Sequence, residues 1–310
     1  MPSKTNNRRS LRAVEALNFF LADVQTGLGP FLAAYLASSG WNPARVGFAL
    51  TFGGLATVAL QTPAGAVVDA MHRKRLLIAV SLVVLACGAI LLMLPVSNIS
   101  VYSAQLLIGS AAPFLAPAVA AITLGIVGAR AFDKQFGRNQ AFNSAGNVFT
   151  ALLIAYASFR FGYRSIFIIA IAMVIPSLLA LLAIDPQQID YARARGSAAN
   201  GEGQKAEGIA SLLRDRVLVL FLICAFLFHL ANAAMLPQLG EMLSKNNPKA
   251  AAPFMSACII VTQAVITLTA NWIGKREAGF AVITEAPTLD SALEDNGGVS
   301  SSKTWTARLN

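Results

Sequence analysis

Long apolar stretches without a charged side chain alternate with short polar and basic segments along most of this chain. A helix that crosses the hydrocarbon core of a bilayer needs roughly 20 apolar residues. Charge-free stretches of at least that length are Val24–Ala44, Val46–Val68, Leu76–Ala129, Asn139–Phe159, Ser165–Ile184, Val217–Gly240 and Ala250–Gly274. The unbroken apolar run Leu76–Leu85 lacks the alternation of a strand in a transmembrane barrel. The pattern therefore predicts an all-α membrane protein.

Eight crossings are predicted from the apolar stretches and the turn signals between them. They run from about Val14 to Ala37, Pro43 to Ala70, Leu76 to Val96, Ser100 to Ala129, Asn139 to Phe159, Arg164 to Ile184, Val217 to Met242 and Pro253 to Ile273. The predicted organisation is a cytoplasmic N-terminus at 1–13, a six-helix N-terminal bundle at 14–184, a cytoplasmic linker at 185–213, a partial C-terminal bundle of two helices at 214–274 and a polar, disordered tail at 275–310.

Basic residues are concentrated in every second predicted loop, which indicates the orientation of the helices. The basic-rich segments are the N-terminus (Lys4 to Arg12), Arg73–Arg75, the loop with Arg130, Lys134 and Arg138, and the linker after helix 6. Cytoplasmic loops carry the excess of Lys and Arg in membrane proteins. We therefore expect the N-terminus and the linker to be cytoplasmic, in a multi-pass plasma membrane protein of the bacterial inner-membrane type.

Composition agrees with this class and excludes others. Of the 310 residues, 56% are hydrophobic and 13% charged, against about 25% charged in soluble domains. The net charge of +9 would indicate nucleic acid as the partner of a soluble protein, but these cations lie beside apolar helices. We expect the lipid bilayer as partner, and no nucleic acid. With two histidines and no Cys or Asp cluster beside them, no metal or other cofactor is expected.

The spanning pattern ends at Lys275–Arg276, and the tail that follows is polar and acidic. Two interpretations stay open. The tail is either a disordered cytoplasmic extension or the product of a reading frame, or gene, interrupted near residue 276.

A charged turn separates the second and third predicted helices. Its residues, in order, are Gly65, Asp69, Arg73, Lys74 and Arg75. With six helices and a polar central connector, this turn resembles the signature of the major facilitator superfamily between its helices 2 and 3. Ala70 and His72 depart from that signature, which usually has a basic residue and a glycine there. Gly162–Phe167 is similar to the family's connection between helices 5 and 6.

The resemblance implies a carrier of two six-helix bundles with a small solute bound between them. It implies that Asp69 helps to hold the two bundles together on the cytoplasmic side. A carboxylate at the membrane edge needs a partner, and Arg130 and Arg138 are the candidates. This chain supplies one bundle and two more helices, so we expect a carrier truncated after helix 8, with impaired transport.

Asp23 is predicted to lie about 15 Å into the first helix, at 1.5 Å per residue. An acid at that depth is a candidate functional group, and the resemblance includes proton-coupled carriers with an acid in helix 1. Pairing of this carboxylate near the interface is the alternative. Glu15, close to the interface, is expected to be solvated.

Several amides and one histidine within the apolar stretches are candidates to line a solute cavity. They are Asn18, Gln25, Gln105, Asn143, Asn147, His229 and Asn232. Such polar side chains also hydrogen-bond helices to one another, and the sequence leaves both roles open.

We expect transport of an unidentified small solute by alternating access, with proton coupling left open. The alternative is a non-transporting membrane fragment or a subunit of a larger assembly. An enzyme would need paired carboxylates, a metal cluster or a nucleophile beside a base, and none is recognisable. The solute, the transport direction and the oligomeric state are not predicted.

Overall fold

The computed structural model of the chain describes residues 4–26, 28–195, 216–233 and 235–284, and side-chain contacts for 8–22, 31–194, 216–231 and 235–266. The described residues form ten α-helices with two short 3-10 turns and no strand. The helices are α1 (Lys4–Thr26), α2 (Leu28–Ser38), α3 (Pro43–Ala70), α4 (Lys74–Met93), α5 (Asn98–Val127), α6 (Ala129–Phe161), α7 (Arg164–Ala183), α8 (Arg216–Ala233), α9 (Met235–Asn246) and α10 (Pro248–Thr284). The all-α prediction is confirmed.

Six helical segments in the described ranges are long and apolar enough to cross a membrane. They are α3, α4, α5, α7, the stretch Arg216–Asn246 that contains α8 and α9, and Pro248–Ile266 of α10. The other two predicted crossings are α1 with α2, and α6. These carry the amides Asn18, Asn143 and Asn147, which lowers their mean hydropathy.

Local signals set several helix ends. Asn42 caps α3, its Oδ1 accepting from the Arg45 N–H at 2.8 Å, and Pro43 follows at the first helical position. Ser97 and Ser100 form a reciprocal capping box at the start of α5. Gly128 alone connects α5 to α6 with φ of 73°, a left-handed conformation that favours glycine. The six-helix stretch therefore has tight connections.

Two groups of buried apolar side chains hold the helices together. One joins α1, α4, α5 and α7 through residues such as Leu17, Leu82, Leu115 and Leu181. The other joins α2, α4, α7 and the start of α10, where the rings of Tyr35 and Phe167 meet edge to face at 4.9 Å. Because lipid is itself apolar, close packing rather than escape from water favours these contacts.

Several helix ends differ from the predicted bounds. Helix α6 begins at Ala129 rather than near 139, so the basic residues assigned to a loop lie on its first turns. The first residues of the predicted linker pack against the bundle: the Asp190 N–H donates to the Gly125 carbonyl at 3.0 Å, and Ile189 and Ala194 are buried. Helix α10 continues to Thr284, through the first part of the predicted tail. Residues 196–215 and 285–310 lie outside the described ranges.

Helix α9 and the start of α10 contact α1–α7 near the α2–α3 and α6–α7 connections. There α9 packs against α2, and the Tyr163 hydroxyl donates to the Pro248 carbonyl at 2.9 Å. Ala251, Ala252 and Met255 of α10 are buried. By contrast, α8 has no buried side chain within 216–231. Residues up to Gln263 form one compact unit, and the rest of α10 belongs to a second.

Candidate functional site

Two cations of the charged turn bind the carbonyl ends of helices. Lys74 is fully buried and donates to the Val68 carbonyl at the end of α3. Arg75 donates through Nε to the Leu181 carbonyl at 3.2 Å and through Nη2 to the Leu182 carbonyl at 3.3 Å, at the end of α7. The carbonyl end of a helix carries partial negative charge. These two cations therefore tie the turn to α3 and α7.

The other members of the turn face outward. Asp69 and Arg73 are exposed, and Arg73 precedes α4 without a side-chain cap. A Cβ added to Gly65 would meet no atom within 4 Å, so close packing does not require glycine there. Asp69 takes part in none of the ion pairs found among the described residues. An exposed carboxylate at this position is accessible to a partner outside the described contacts.

Arg138 pairs with an acid other than the one predicted. Its Nε lies 2.9 Å from Oε1 of Glu15. The reason is topological: α1 packs directly against α6, whereas Asp69 lies at the end of α3. The prediction that Glu15 is solvated was wrong, since it is 5% exposed. Arg130 is exposed on the first turn of α6.

A chain of buried hydrogen bonds extends from this ion pair. Gln135 Nε2 donates to Glu15 Oε1 at 3.0 Å and to Asn139 Oδ1 at 3.1 Å. Asn139 Nδ2 donates to Thr123 Oγ1 at 3.0 Å. We call Glu15, Thr123, Gln135 and Asn139, together with the exposed Arg138 that pairs with Glu15, the buried polar cluster. It joins α1, α5 and α6. Its buried polar side chains are hydrogen-bonded to one another, as buried polar groups in proteins generally are.

Sequence reasoning missed most of this cluster. Gln135 and Asn139 are four residues apart on α6, so they share one helix face. This pair of polar residues on one face was recognisable from the sequence. The partner Glu15 is 120 residues distant from Gln135, and no local pattern connects them.

The predicted amides on α1 and α6 do come together. Asn143 Nδ2 donates to the Asn18 carbonyl at 3.5 Å, and Asn147 Nδ2 donates to Asn143 Oδ1 at 3.3 Å. Asn18 Nδ2 donates to the Val14 carbonyl of its own helix at 2.8 Å. A Cβ on Gly146 would lie 2.0 Å from the Phe19 carbonyl oxygen, so the two backbones are very close here. These amides form a polar seam between α1 and α6.

Gln105 is a helix–helix contact rather than a cavity residue. It is buried, and its Nε2 donates to the Ala49 carbonyl of α3 at 3.1 Å. Close approach of α3 and α5 at Gly53 and Gly109 places it there. Of the two roles that the sequence left open for Gln105, this contact corresponds to bonding between helices.

The remaining candidates are separate from this seam or lie outside the described side chains. His229 is exposed on α8 beside Phe228. The side chains of Asp23, Gln25 and Asn232 fall outside the described part of the structure. Among the described residues, no group of three His, Cys, Asp or Glu side chains is placed to hold a metal ion.

Comparisons with known proteins agree with the helical membrane architecture. The family model described as Major Facilitator Superfamily matches residues 16–284. Two proteins from different strains of Mycobacterium tuberculosis, both described as uncharacterised MFS-type transporters, are 39% identical to this chain over 301 residues. The alignment covers 93% of this chain and 72% of each relative. The chain is thus a multi-pass membrane protein that belongs to the Major Facilitator Superfamily.

Proposed function

We propose that this chain moves a small solute across the bacterial inner membrane by alternating access, with its N-terminus in the cytoplasm. The observation that carries the proposal is the contact of α9 with α2 and of Tyr163 with Pro248, near the α2–α3 and α6–α7 connections. Helical bodies that touch near one end can rock about that contact. The distribution of basic residues supports the outer side of the membrane for this end.

The polar seam on α1 and α6 supports a route for a polar solute. Membrane-embedded polar groups are rare and usually face the interior of a bundle or a water-filled cavity. Asn143 and Asn147 follow this rule, since Asn143 is partly buried and Asn147 is buried. Their amides offer both donors and acceptors to a solute.

The rocking proposal is tested by cross-linking the outer end. The natural cysteines Cys87, Cys224 and Cys258 are replaced by serine, and Tyr163→Cys and Pro248→Cys are joined by a short bifunctional thiol reagent that reduction cleaves. Uptake of labelled solutes is first screened in proteoliposomes. We expect cross-linking to stop uptake and reduction to restore it. Uptake that continues after complete cross-linking would contradict the proposal.

Proton coupling through Asp23 is a finer proposal, supported by the predicted depth of this acid in the first helix. Asp23→Asn should abolish uptake driven by a pH gradient while solute binding survives. Asp133→Asn, which removes an exposed acid on α6, is the matched control and should leave uptake unchanged. Unaltered pH-driven uptake by Asp23→Asn would remove the coupling role.

The alternative proposal is a non-transporting subunit or fragment, supported by the absence of buried side chains on α8 within 216–231. Impaired transport through truncation is a separate proposal about the carrier itself. Sequencing the DNA beyond codon 276 tests truncation, because an interrupted carrier gene would encode further apolar helices in another frame. Isolation of a stable complex with another membrane chain, and no uptake of any solute, would favour the subunit.

A further inference from the structure

A cavity of about 410 Å³ lies between α2, α3 and α9, at the end of the molecule where these helices pack together. Small-molecule sites typically enclose about 300–1,000 Å³, with apolar walls and a few polar groups. Val46 and Leu50 of α3 and Pro237 of α9 supply apolar wall. The cavity therefore has the size and lining of a ligand site, and it is distinct from the polar seam on α1 and α6.

One charged group faces this cavity. Glu241 of α9 lines it, together with Gln238 of α9 and Thr51 of α3. The Glu241 side chain is 12% exposed, and its Oε1 accepts from Lys245 Nζ at 3.0 Å. No contact of the second carboxylate oxygen is found within the described residues. A carboxylate accepts several hydrogen bonds, so Glu241 retains capacity for a donor inside the cavity.

The neighbouring cations do not line the cavity. Lys245 is 46% exposed and contacts Glu241 from the next helical turn. Arg45 donates to Asn98 Oδ1 at 2.7 Å and lies 4.7 Å from the centre of the Trp41 ring. Solvent around the half-exposed Lys245 weakens its attraction to Glu241. A cationic ligand can therefore compete with Lys245 for the carboxylate.

We propose that this cavity binds a small organic cation with an apolar body, its charged group held by Glu241. Thr51 and Gln238 offer hydrogen bonds beside the carboxylate, and the α3 wall packs against the apolar body. The proposal concerns binding and does not require that the chain transports its ligand, so a failure of uptake leaves it unchanged.

The test measures binding of benzylammonium to the full chain in lipid nanodiscs by calorimetry, with empty nanodiscs as blank. Benzenesulfonate, an anion of similar size, is the charge control. We expect the cation to bind and the anion not to bind. Glu241→Gln should weaken binding of the cation about tenfold or more, the loss of one charge-assisted hydrogen bond. Asp133→Asn should match the unsubstituted chain.

Lys245→Gln separates a binding role for Glu241 from a structural one. Removing the competing ammonium should tighten binding of the cation, whereas a merely structural ion pair predicts equal or weaker binding. Because Lys245 is half exposed, this variant decides the question even if Glu241→Gln fails to fold. Absent binding of benzylammonium, equal binding by Glu241→Gln, or no gain with Lys245→Gln would each overturn the proposal.

Discussion

At the scale of single residues, buried charged side chains are paired with a backbone carbonyl or with a side chain of opposite charge. Lys74 binds a helix-end carbonyl, and Glu15 binds Arg138. An unpaired charge in the interior would carry a large desolvation cost. The charged turn was recognisable from sequence, but the split between buried Lys74 and exposed Arg73 was not, since it depends on the packing around α3 and α4.

The ion pair in the buried polar cluster should stabilise the bundle. Glu15→Gln removes the charge opposite Arg138 and should lower the free energy of unfolding by about 1.5–3 kcal/mol, the range for hydrogen bonds to charged groups. Unfolding by SDS in mixed micelles measures it. Arg130→Gln, at an exposed cation on the same helix, should change little. Equal stability of the two variants would contradict a stabilising role for the cluster.

Tyr163 should titrate unusually late. Burial raises the pKa of its hydroxyl from 10.0 to about 12, and its contact with Pro248 requires the proton. The unfolded chain loses this proton near pH 10, so stability should fall as the pH rises from 10 towards 12. Absorbance of tyrosinate in the intact protein checks this, because Tyr163→Phe should remove a component with a midpoint near 12. Loss of a component near 10 instead would contradict it.

At the scale of elements, helix pairs come together where small residues let their backbones approach. Gly146 on α6 faces the Phe19 carbonyl of α1, and Gly109 on α5 faces the Gly53 carbonyl of α3. Contacts of this kind are typical of membrane helices. The extent of α3 was predictable because Asn42–Pro43 is a local capping signal. The start of α6 was not, since its charged first turns resemble a loop.

Two glycines on α6 should respond in opposite ways to substitution. Gly146→Ala places a methyl group 2.0 Å from the Phe19 oxygen and should destabilise the protein by about 1–3 kcal/mol through overpacking. Gly137→Ala meets no atom within 4 Å and should stabilise it by up to about 1 kcal/mol through helix propensity. Unfolding by SDS in mixed micelles measures the free energy of unfolding of both variants. A stable Gly146→Ala protein would contradict the close approach of α1 and α6.

Arg75 should matter more than its neighbour Arg73. Arg75→Gln weakens two hydrogen bonds to the end of α7 and should cost about 1–2 kcal/mol of unfolding free energy. Arg73→Gln removes an exposed charge and should be close to neutral. Unfolding by SDS measures the free energy of unfolding of both variants. A larger loss in Arg73→Gln than in Arg75→Gln would show that Arg75 does not tie α4 to α7.

At the scale of the whole molecule, the membrane class and the helix order followed from charge-free stretches alone, because length and apolarity decide which segments enter lipid. The contacts that join the helices did not follow. Glu15 and Arg138, or Tyr163 and Pro248, are distant in sequence and meet only through the arrangement of the bundle. The cavity at Glu241 depends on such a contact, between α9 and α2, and no local motif marks it.

We propose that the charged turn and the linker of this helical membrane protein share the cytoplasmic face. Single cysteines at Arg73→Cys, Ser197→Cys and Ile99→Cys, in a chain without its natural cysteines, are labelled in intact bacterial cells from which the outer membrane has been removed, with a maleimide that does not cross the inner membrane. We predict labelling at position 99 directly, and at positions 73 and 197 only after permeabilisation. Labelling of positions 73 and 197 from opposite sides would contradict the account.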